Sequence, residues 1–181
     1  KPNGSVARYK DLSTLSGTGL ENAPGQMRRV EMRVYQLTPV ANYWDPTMRL
    51  DGSGAGSQLF NQGDGDKAWF MATSDAGDWT SWHVTSAALL GQMISGYKYE
   101  FNVRGLDQGG NYSASYSTRT QIIYDNRAPK SALTVPASGS LSYIKALSVI
   151  SGTMVDETNS AEANNINLST ITKMYVKLRR L

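Results

Sequence analysis

The sequence predicts an all-β chain: an antiparallel sandwich, complete once and begun a second time. Three observations carry that expectation. Tyr97, Tyr99, Phe101 and Val103 alternate with Lys98, Glu100, Asn102 and Arg104, the period of two that gives a strand one apolar and one polar face. Clusters of Gly, Asn, Asp and Pro punctuate the chain at the spacing of turns between short strands. A block near the start, Leu12-Ser13-Thr14-Leu15-Ser16-Gly17-Thr18, returns as Leu147-Ser148-Val149-Ile150-Ser151-Gly152-Thr153, 135 residues later.

In chain order, strands are expected over 12–18, 30–35, 68–72, 81–85, 97–104 and 119–124. Val30, Met32 and Val34 alternate with Glu31, Arg33 and Tyr35. Tyr99, Phe101 and Val103 should be buried together, with Lys98, Glu100 and Arg104 facing water or a covering loop. Turns are expected over 22–25, 75–78 and 107–111, and one short helical turn over 86–93. Two stretches break the rhythm. Residues 38–67 read as a long Gly- and Asp-rich insertion, and loops of that length are usually functional or disordered. After Tyr124, Asp125-Asn126-Arg127-Ala128-Pro129 should end the sheet, because Pro129 offers no backbone donor. The expected division is therefore a first unit over 1–128 and an incomplete second unit over 129–181.

The repeat extends beyond the first match. Gly4-Ser5 matches Gly139-Ser140 at the same offset, and Pro2 and Tyr9 match Pro136 and Tyr143 one residue out of step. Downstream, Arg29-Val30-Glu31-Met32-Arg33-Val34 resembles Lys173-Met174-Tyr175-Val176-Lys177-Leu178 at an offset of 144, so the second copy carries 9 more residues, in a polar loop within 157–170. Strands are expected there over 147–153 and 173–178. The chain begins with Lys1, which reads as a mature or excised fragment, and the second copy reads as continuing past Leu181. Neighbouring repeats of the same polypeptide are the expected partners, and an unfinished repeat with bare strand edges should self-associate.

Composition narrows the function. Charged residues are 18% of 181 and net charge is +3, below the usual charged share of about 25% and without the concentrated basic face of a nucleic-acid binder. With no cysteine, neither a disulfide framework nor a thiolate metal site is available. No run approaches the ~18 apolar residues of a membrane span, so membrane insertion is not expected.

The candidate chemistry is sparse. His83 is the only histidine. It lies between Trp82 and Val84 in a strand pattern, so it should face solvent opposite a buried Trp82, and no nucleophile motif accompanies it. Asp64, Asp66, Asp75 and Asp78 sit in turns, where Asp commonly bonds its own backbone; acid/base catalysis is not expected. Calcium is the cofactor the oxygen donors would suit. Asp64 and Asp66 lie in a Gly-spaced run, while Asp107, Asp125 and Asn126 could meet near the junction between the copies. Solvated turns are the competing reading at both places. Trp69 and Trp82 belong to strands and to the core. Trp44 and Trp79 flank turns, where exposed rings could stack on a glycan; hydrophobic packing of the insertion onto the sandwich is the competing and favoured reading. Asn3, Asn111 and Asn167 stand in N-x-S sequons.

Tyr99-x-Phe101-x-Val103-x-Gly105-x-Asp107 followed by Gly110-Asn111 resembles the late strand and loop of fibronectin type III and bacterial immunoglobulin-like repeats. The run Tyr124-Asp125-Asn126-x-Ala128-Pro129 resembles the junction between such repeats, and Ser-Gly-Thr in each copy resembles their second strand. Tyr43-Trp44-Asp45, Ala68-Trp69-Phe70 and Trp82 resemble a subset with an enlarged middle loop. The resemblance implies an immunoglobulin-like β-sandwich without catalytic residues. It would serve as a spacer, stalk or adhesive module of a large extracellular, cell-surface or secreted protein. The alternative is an accessory carbohydrate-binding module of a secreted enzyme. The resemblance also implies a corner-type Tyr99, its hydroxyl bonded to backbone near Leu90 to Met93.

Overall fold

Two ten-residue stretches with a strict period of two make the longest strands of the protein, β3 (Met27–Gln36) and β9 (Lys98–Asp107). The computed structural model describes residues 7–10, 12–20, 25–113, 120–136, 146, 148–155 and 174–177. Besides these two strands it contains β1 (Ala7–Tyr9), β2 (Leu15–Thr18), β4 (Asn42–Trp44), β5 (Phe60–Gln62), β6 (Phe70–Met71), β7 (Thr73–Ser74), β8 (Ser81–Val84), β10 (Thr120–Tyr124), β11 (Lys130–Val135) and β12 (Ser151–Val155). The one helix among the described residues, α1 (Ala87–Gly91), is five residues long, and the Ser86 hydroxyl caps it by accepting from the Leu89 N–H at 3.2 Å. The chain is all-β, in mostly antiparallel sheets.

The larger sheet runs β1-β10-β9-β3-β4-β5, and β6 also pairs with β3. Its centre is the antiparallel pair β3–β9, in register from Met27 opposite Asp107 to Gln36 opposite Tyr99. Only β1 departs from the antiparallel rule, lying parallel to β10. A second sheet runs β2-β8-β7. The two sheets share one apolar core: Val30, Met32, Val34, Tyr99, Phe101 and Ile122 from the first meet Trp82 and Val84 from the second, and Leu89 of α1 closes one end. Gly17 of β2 lies against the Trp82 ring, and a methyl there would collide with it.

Tyr99 is fully buried, and its hydroxyl accepts from the Ile94 N–H at 2.8 Å, one residue beyond the expected window. Burial pushes its phenol well above the ordinary range. Phe101 is buried, Val103 half-buried, and Tyr97 sits just ahead of β9.

The other face of β3 and β9 does not face water. Glu31, Arg33, Glu100 and Asn102 are all buried. The segment after β5 crosses this face and lays Trp69 over it, so of the two outcomes expected for Glu100 and Arg104 the covering loop prevails. The insertion over 38–67 is also corrected: it holds β4 and β5, which widen the large sheet, and it leads into the cover. Trp69 precedes β6 rather than lying inside a strand, which here spans two residues instead of 68–72.

Past Tyr124 the large sheet ends, and β11 and β12 pair antiparallel with each other alone among the described residues. The strand expected over 147–153 lies at Ser151–Val155. Met174 to Lys177 are exposed and outside any strand, against the expectation for 173–178. Residues 157–170, Asn3, Asn167 and most of the expected turn over 22–25 lie outside the described residues.

Candidate functional site

The covered face of the large sheet gathers the densest polar chemistry of the described chain. Glu31 has no exposed surface. Its carboxylate accepts from Arg29 Nε at 2.6 Å, from Arg104 Nε across the strand pair at 2.6 Å, and from the Tyr112 hydroxyl at 3.3 Å. Two residues along β3, Arg33 Nε donates to Asn102 Oδ1 at 3.1 Å, and Arg33 Nη1 donates to the Gly65 carbonyl at 3.1 Å. Glu100 accepts from Asn102 Nδ2 at 3.0 Å and from Gln121 Nε2 at 2.9 Å.

Aromatic rings seal this network. The Trp69 ring lies 4.7 Å from the Arg33 guanidinium and 4.0 Å from that of Arg104, and Tyr112 lies 4.1 Å from Arg104. Tyr43 lies 4.9 Å from Arg33 and packs 4.5 Å from Tyr35. A guanidinium over a ring face is attracted by the ring quadrupole, more strongly when water is excluded. A side chain at Gly65 would crowd the cluster, since a Cβ would sit 2.7 Å from Arg33 Nη1 and 3.0 Å from the Tyr43 ring. Chemically the cluster is a closed clasp. Both oxygens of Glu31 are taken up by guanidinium N–H groups, so neither is placed to take a proton from a substrate. Sequence reasoning missed the clasp. Its only signal was the mixed charge on the polar faces of two strands about 70 positions apart.

A second latch holds the insertion. Arg49 grips Asp45 with Nε at 2.8 Å and Nη2 at 2.9 Å, and the Ser57 N–H donates to the same carboxylate at 2.7 Å. The Arg49 guanidinium is the largest influence on Asp45, and it holds the carboxyl at about 2, below its ordinary 3.8. The Asp45 backbone closes the loop as well, pairing with Leu59 and Gln58.

The expected site residues do not assemble. Asp107 closes its own turn, accepting from the Asn111 N–H at 2.7 Å and Nδ2 at 2.9 Å. Asp125 accepts from the Ser95 hydroxyl and the Arg127 N–H, and Asn126 donates to Ser95 Oγ and the Tyr124 hydroxyl. Asp107 ends β9, whereas Asp125 follows the strand paired with its beginning, so the length of β9 separates them by about 30 Å. They cannot share an ion. Asp64 accepts from the Asp66 N–H at 2.9 Å and stands 3.9 Å from Lys67 Nζ, a turn arrangement. Among the described residues no group of three or more His, Asp or Glu is arranged to hold a metal.

Trp44 is buried against Phe60, ring centroids 5.6 Å apart; this agrees with the packing reading and corrects its candidacy as a glycan-stacking ring. β4, unrecognised in the sequence, turns it inward. Trp79 is half-buried, packs on the core and takes a left-handed backbone at φ 66°. Trp82 is buried, and His83 on the opposite face pairs with Asp75.

Two hollows remain. One, of about 480 Å³, opens between the sheets beside β2, with Leu12, Leu15, Met32, Phe101 and Ile122 on its walls. The other, of about 300 Å³, lies between the insertion and β6, lined by Met48, Leu50, Phe70 and Met71. No family model, curated protein or solved structure matches the chain. No helix among the described residues is long and apolar enough to cross a membrane.

Proposed function

We propose that this chain is a non-catalytic, load-bearing module of immunoglobulin-like type, a spacer within a larger extracellular or surface polypeptide. The strand order supports the fold assignment. A variable-type immunoglobulin sandwich extends its central sheet by two further strands beyond the constant type, and packs it on a smaller sheet. Here β4 and β5 extend β10-β9-β3, and β2-β8-β7 is the smaller sheet.

The observation that carries the mechanical reading is the parallel pairing of β1 with β10. Ala7, Arg8 and Tyr9 stand opposite Ile122, Ile123 and Tyr124, and the Asp125 N–H donates to the Tyr9 carbonyl at 2.8 Å. Tension on the two ends of this unit pulls these neighbouring parallel strands in opposite directions along their length. Their hydrogen bonds are then loaded in shear, all at once, rather than opened singly. The buried clasp on one face and the shared core on the other tie the remaining strands behind this pair.

Single-molecule pulling of the full chain tests the reading. Tyr9→Pro removes a donor N–H from β1 and should lower the unfolding force markedly while leaving the thermal midpoint nearly unchanged. Equal force distributions for the two proteins would overturn the proposal.

A further inference from the structure

Two Asp-Gly pairs stand in the sequence, Asp51-Gly52 and Asp64-Gly65. Such a pair carries its own reaction. The amide nitrogen of the glycine can attack Cγ of the aspartate before it, because no Cβ on the glycine shields that nitrogen. A bond forms between the nitrogen and Cγ, the amide proton and the carboxyl hydroxyl leave as water, and a cyclic imide remains. Water then opens the imide. Addition at Cγ restores aspartate, whereas addition at the main-chain carbonyl leaves isoaspartate, whose backbone runs through Cβ and Cγ. Nothing is oxidised or reduced, and no co-reactant besides water takes part.

The two pairs share their local chemistry. Asp51 Oδ1 accepts from the Ser53 N–H at 2.9 Å, and Asp64 Oδ1 accepts from the Asp66 N–H at 2.9 Å. Both aspartates are exposed. The surroundings of the two glycines differ. Gly52 has φ 76°, and beyond its chain neighbours no atom lies within 4 Å of the place a Cβ would take. Its N–H reaches the Arg49 carbonyl only at 3.4 Å, a weak bond. Gly65 is pinned at the clasp. Its carbonyl accepts from Arg33 Nη1 at 3.1 Å, Arg33 is buried against the Trp69 ring, and the Tyr43 ring crowds the same glycine. Bringing the Gly65 nitrogen onto Cγ requires a turn about the Asp64 Cα–C bond, which carries the Gly65 carbonyl away from Arg33.

We propose that Asp51-Gly52 isomerises spontaneously in the folded protein, and that the clasp withholds Asp64-Gly65 from the same reaction. A bond from a charged donor must open before Asp64 can react, which should slow it about tenfold or more relative to Asp51. The Ser53 hydroxyl holds the Asp51 carboxyl below its ordinary range and so favours the less reactive ionised form. That effect runs against the expected order, so an excess at Asp51 reports the freedom of Gly52. Isomerisation at Asp64 would lengthen the backbone by one methylene just ahead of Gly65 and draw its carbonyl off Arg33. The clasp therefore guards the bond whose rearrangement would open it. The inference goes beyond the load-bearing reading, and unfolding force and isoaspartate content fail independently.

Prolonged incubation of the full chain at neutral pH, with isoaspartate read peptide by peptide, tests it. Methylation by an isoaspartyl methyltransferase supplies a second readout. In the folded chain isoaspartate should rise at Asp51 and stay about tenfold or more lower at Asp64. In guanidinium chloride the two rates should converge, since both glycines are then free. Gly52→Ala should suppress the Asp51 signal alone. Arg33→Met should raise the Asp64 signal and leave that of Asp51 unchanged. Equal accumulation at the two sites in the folded chain, none at Asp51, or an Asp64 rate that denaturation does not raise overturns the proposal. A folded Arg33→Met with an unchanged Asp64 overturns it as well, and where that variant does not fold, the comparison of folded with denatured wild type decides.

Discussion

Replacing Glu31 by Gln should be among the most damaging conservative changes in the protein. The carboxylate is wholly buried and receives Arg29 and Arg104 at 2.6 Å each, with the Tyr112 hydroxyl at 3.3 Å. Removing one partner of a buried ion pair costs about 3–5 kcal/mol, because the remaining charge stays desolvated. Arg29 and Arg104 keep 24% and 19% of their side-chain exposure, so water recovers part of that cost, and the expected loss is about 3 kcal/mol. At roughly 2–4 °C per kcal/mol for a chain of this size, the thermal midpoint should fall by about 6–12 °C. The amide keeps the shape of the side chain but turns an NH₂ group towards one guanidinium, so packing alone does not predict the loss. Denaturant unfolding of Glu31→Gln, Arg104→Met and the double variant separates the pair from its surroundings. The cycle should return a coupling of about 1–3 kcal/mol. A single-variant loss below ~1 kcal/mol, with coupling near zero, would mean that the pair is solvated and that Trp69 does not seal the face.

Three further outcomes are expected. Tyr99→Phe leaves the Ile94 N–H without its acceptor and should cost about 1–3 kcal/mol in a thermal or denaturant melt; an unchanged midpoint would refute the corner. The folded-state pKa of Asp45, about 2, lies below its ordinary 3.8, so its contribution of about 2 kcal/mol is full above pH 4 and fades as pH falls to about 2. Asp45→Asn should abolish that part of the acid dependence in a pH series, and equal slopes for the two proteins would count against the latch. Gly17→Ala drives a methyl into the Trp82 ring and should cost about 1–3 kcal/mol by overpacking, read as a lower denaturation midpoint; a neutral effect would show that β2 and β8 are packed loosely.

Most of the strands that sequence alone located were long or alternating. β3, β8 and β9 fall within three residues of expectation because a period of two, sustained over several positions, matches a half-buried strand and no helix; β10, with Ile122 and Ile123 buried side by side, was placed without one. β4 and β5 have three residues each. Three residues cannot display an alternation, and the glycines and aspartates around them read as loop. That loss propagated. Without β4, Trp44 looked like a turn residue with a free ring, when its strand points it at Phe60. Without β5, and with Trp69 assigned to a strand rather than to the segment ahead of β6, nothing revealed that the chain returns across the polar face, and Glu100 and Arg104 could not be assigned to a buried network. The calcium candidates failed for a different reason. Asp107 and Asp125 were grouped by residue type and by nearness to a supposed junction, yet β9 separates them along its whole length.

The polar face of β3 and β9 shows what single-strand patterns leave undecided. Alternation assigns side chains to two faces, but it is silent on what covers each face. Glu31 and Arg33 on one strand and Asn102 and Arg104 on the other would serve equally well on a solvated surface, where such pairs are worth little. What changes their energetic weight is Trp69, at the end of an insertion that carries no pattern of its own. The charges need register before they become partners: Glu31 opposite Arg104 and Arg33 opposite Asn102. They then need a lid before their pairing matters. Both conditions come from long-range contacts, which is why composition and periodicity gave the all-β class of this chain and not its clasp.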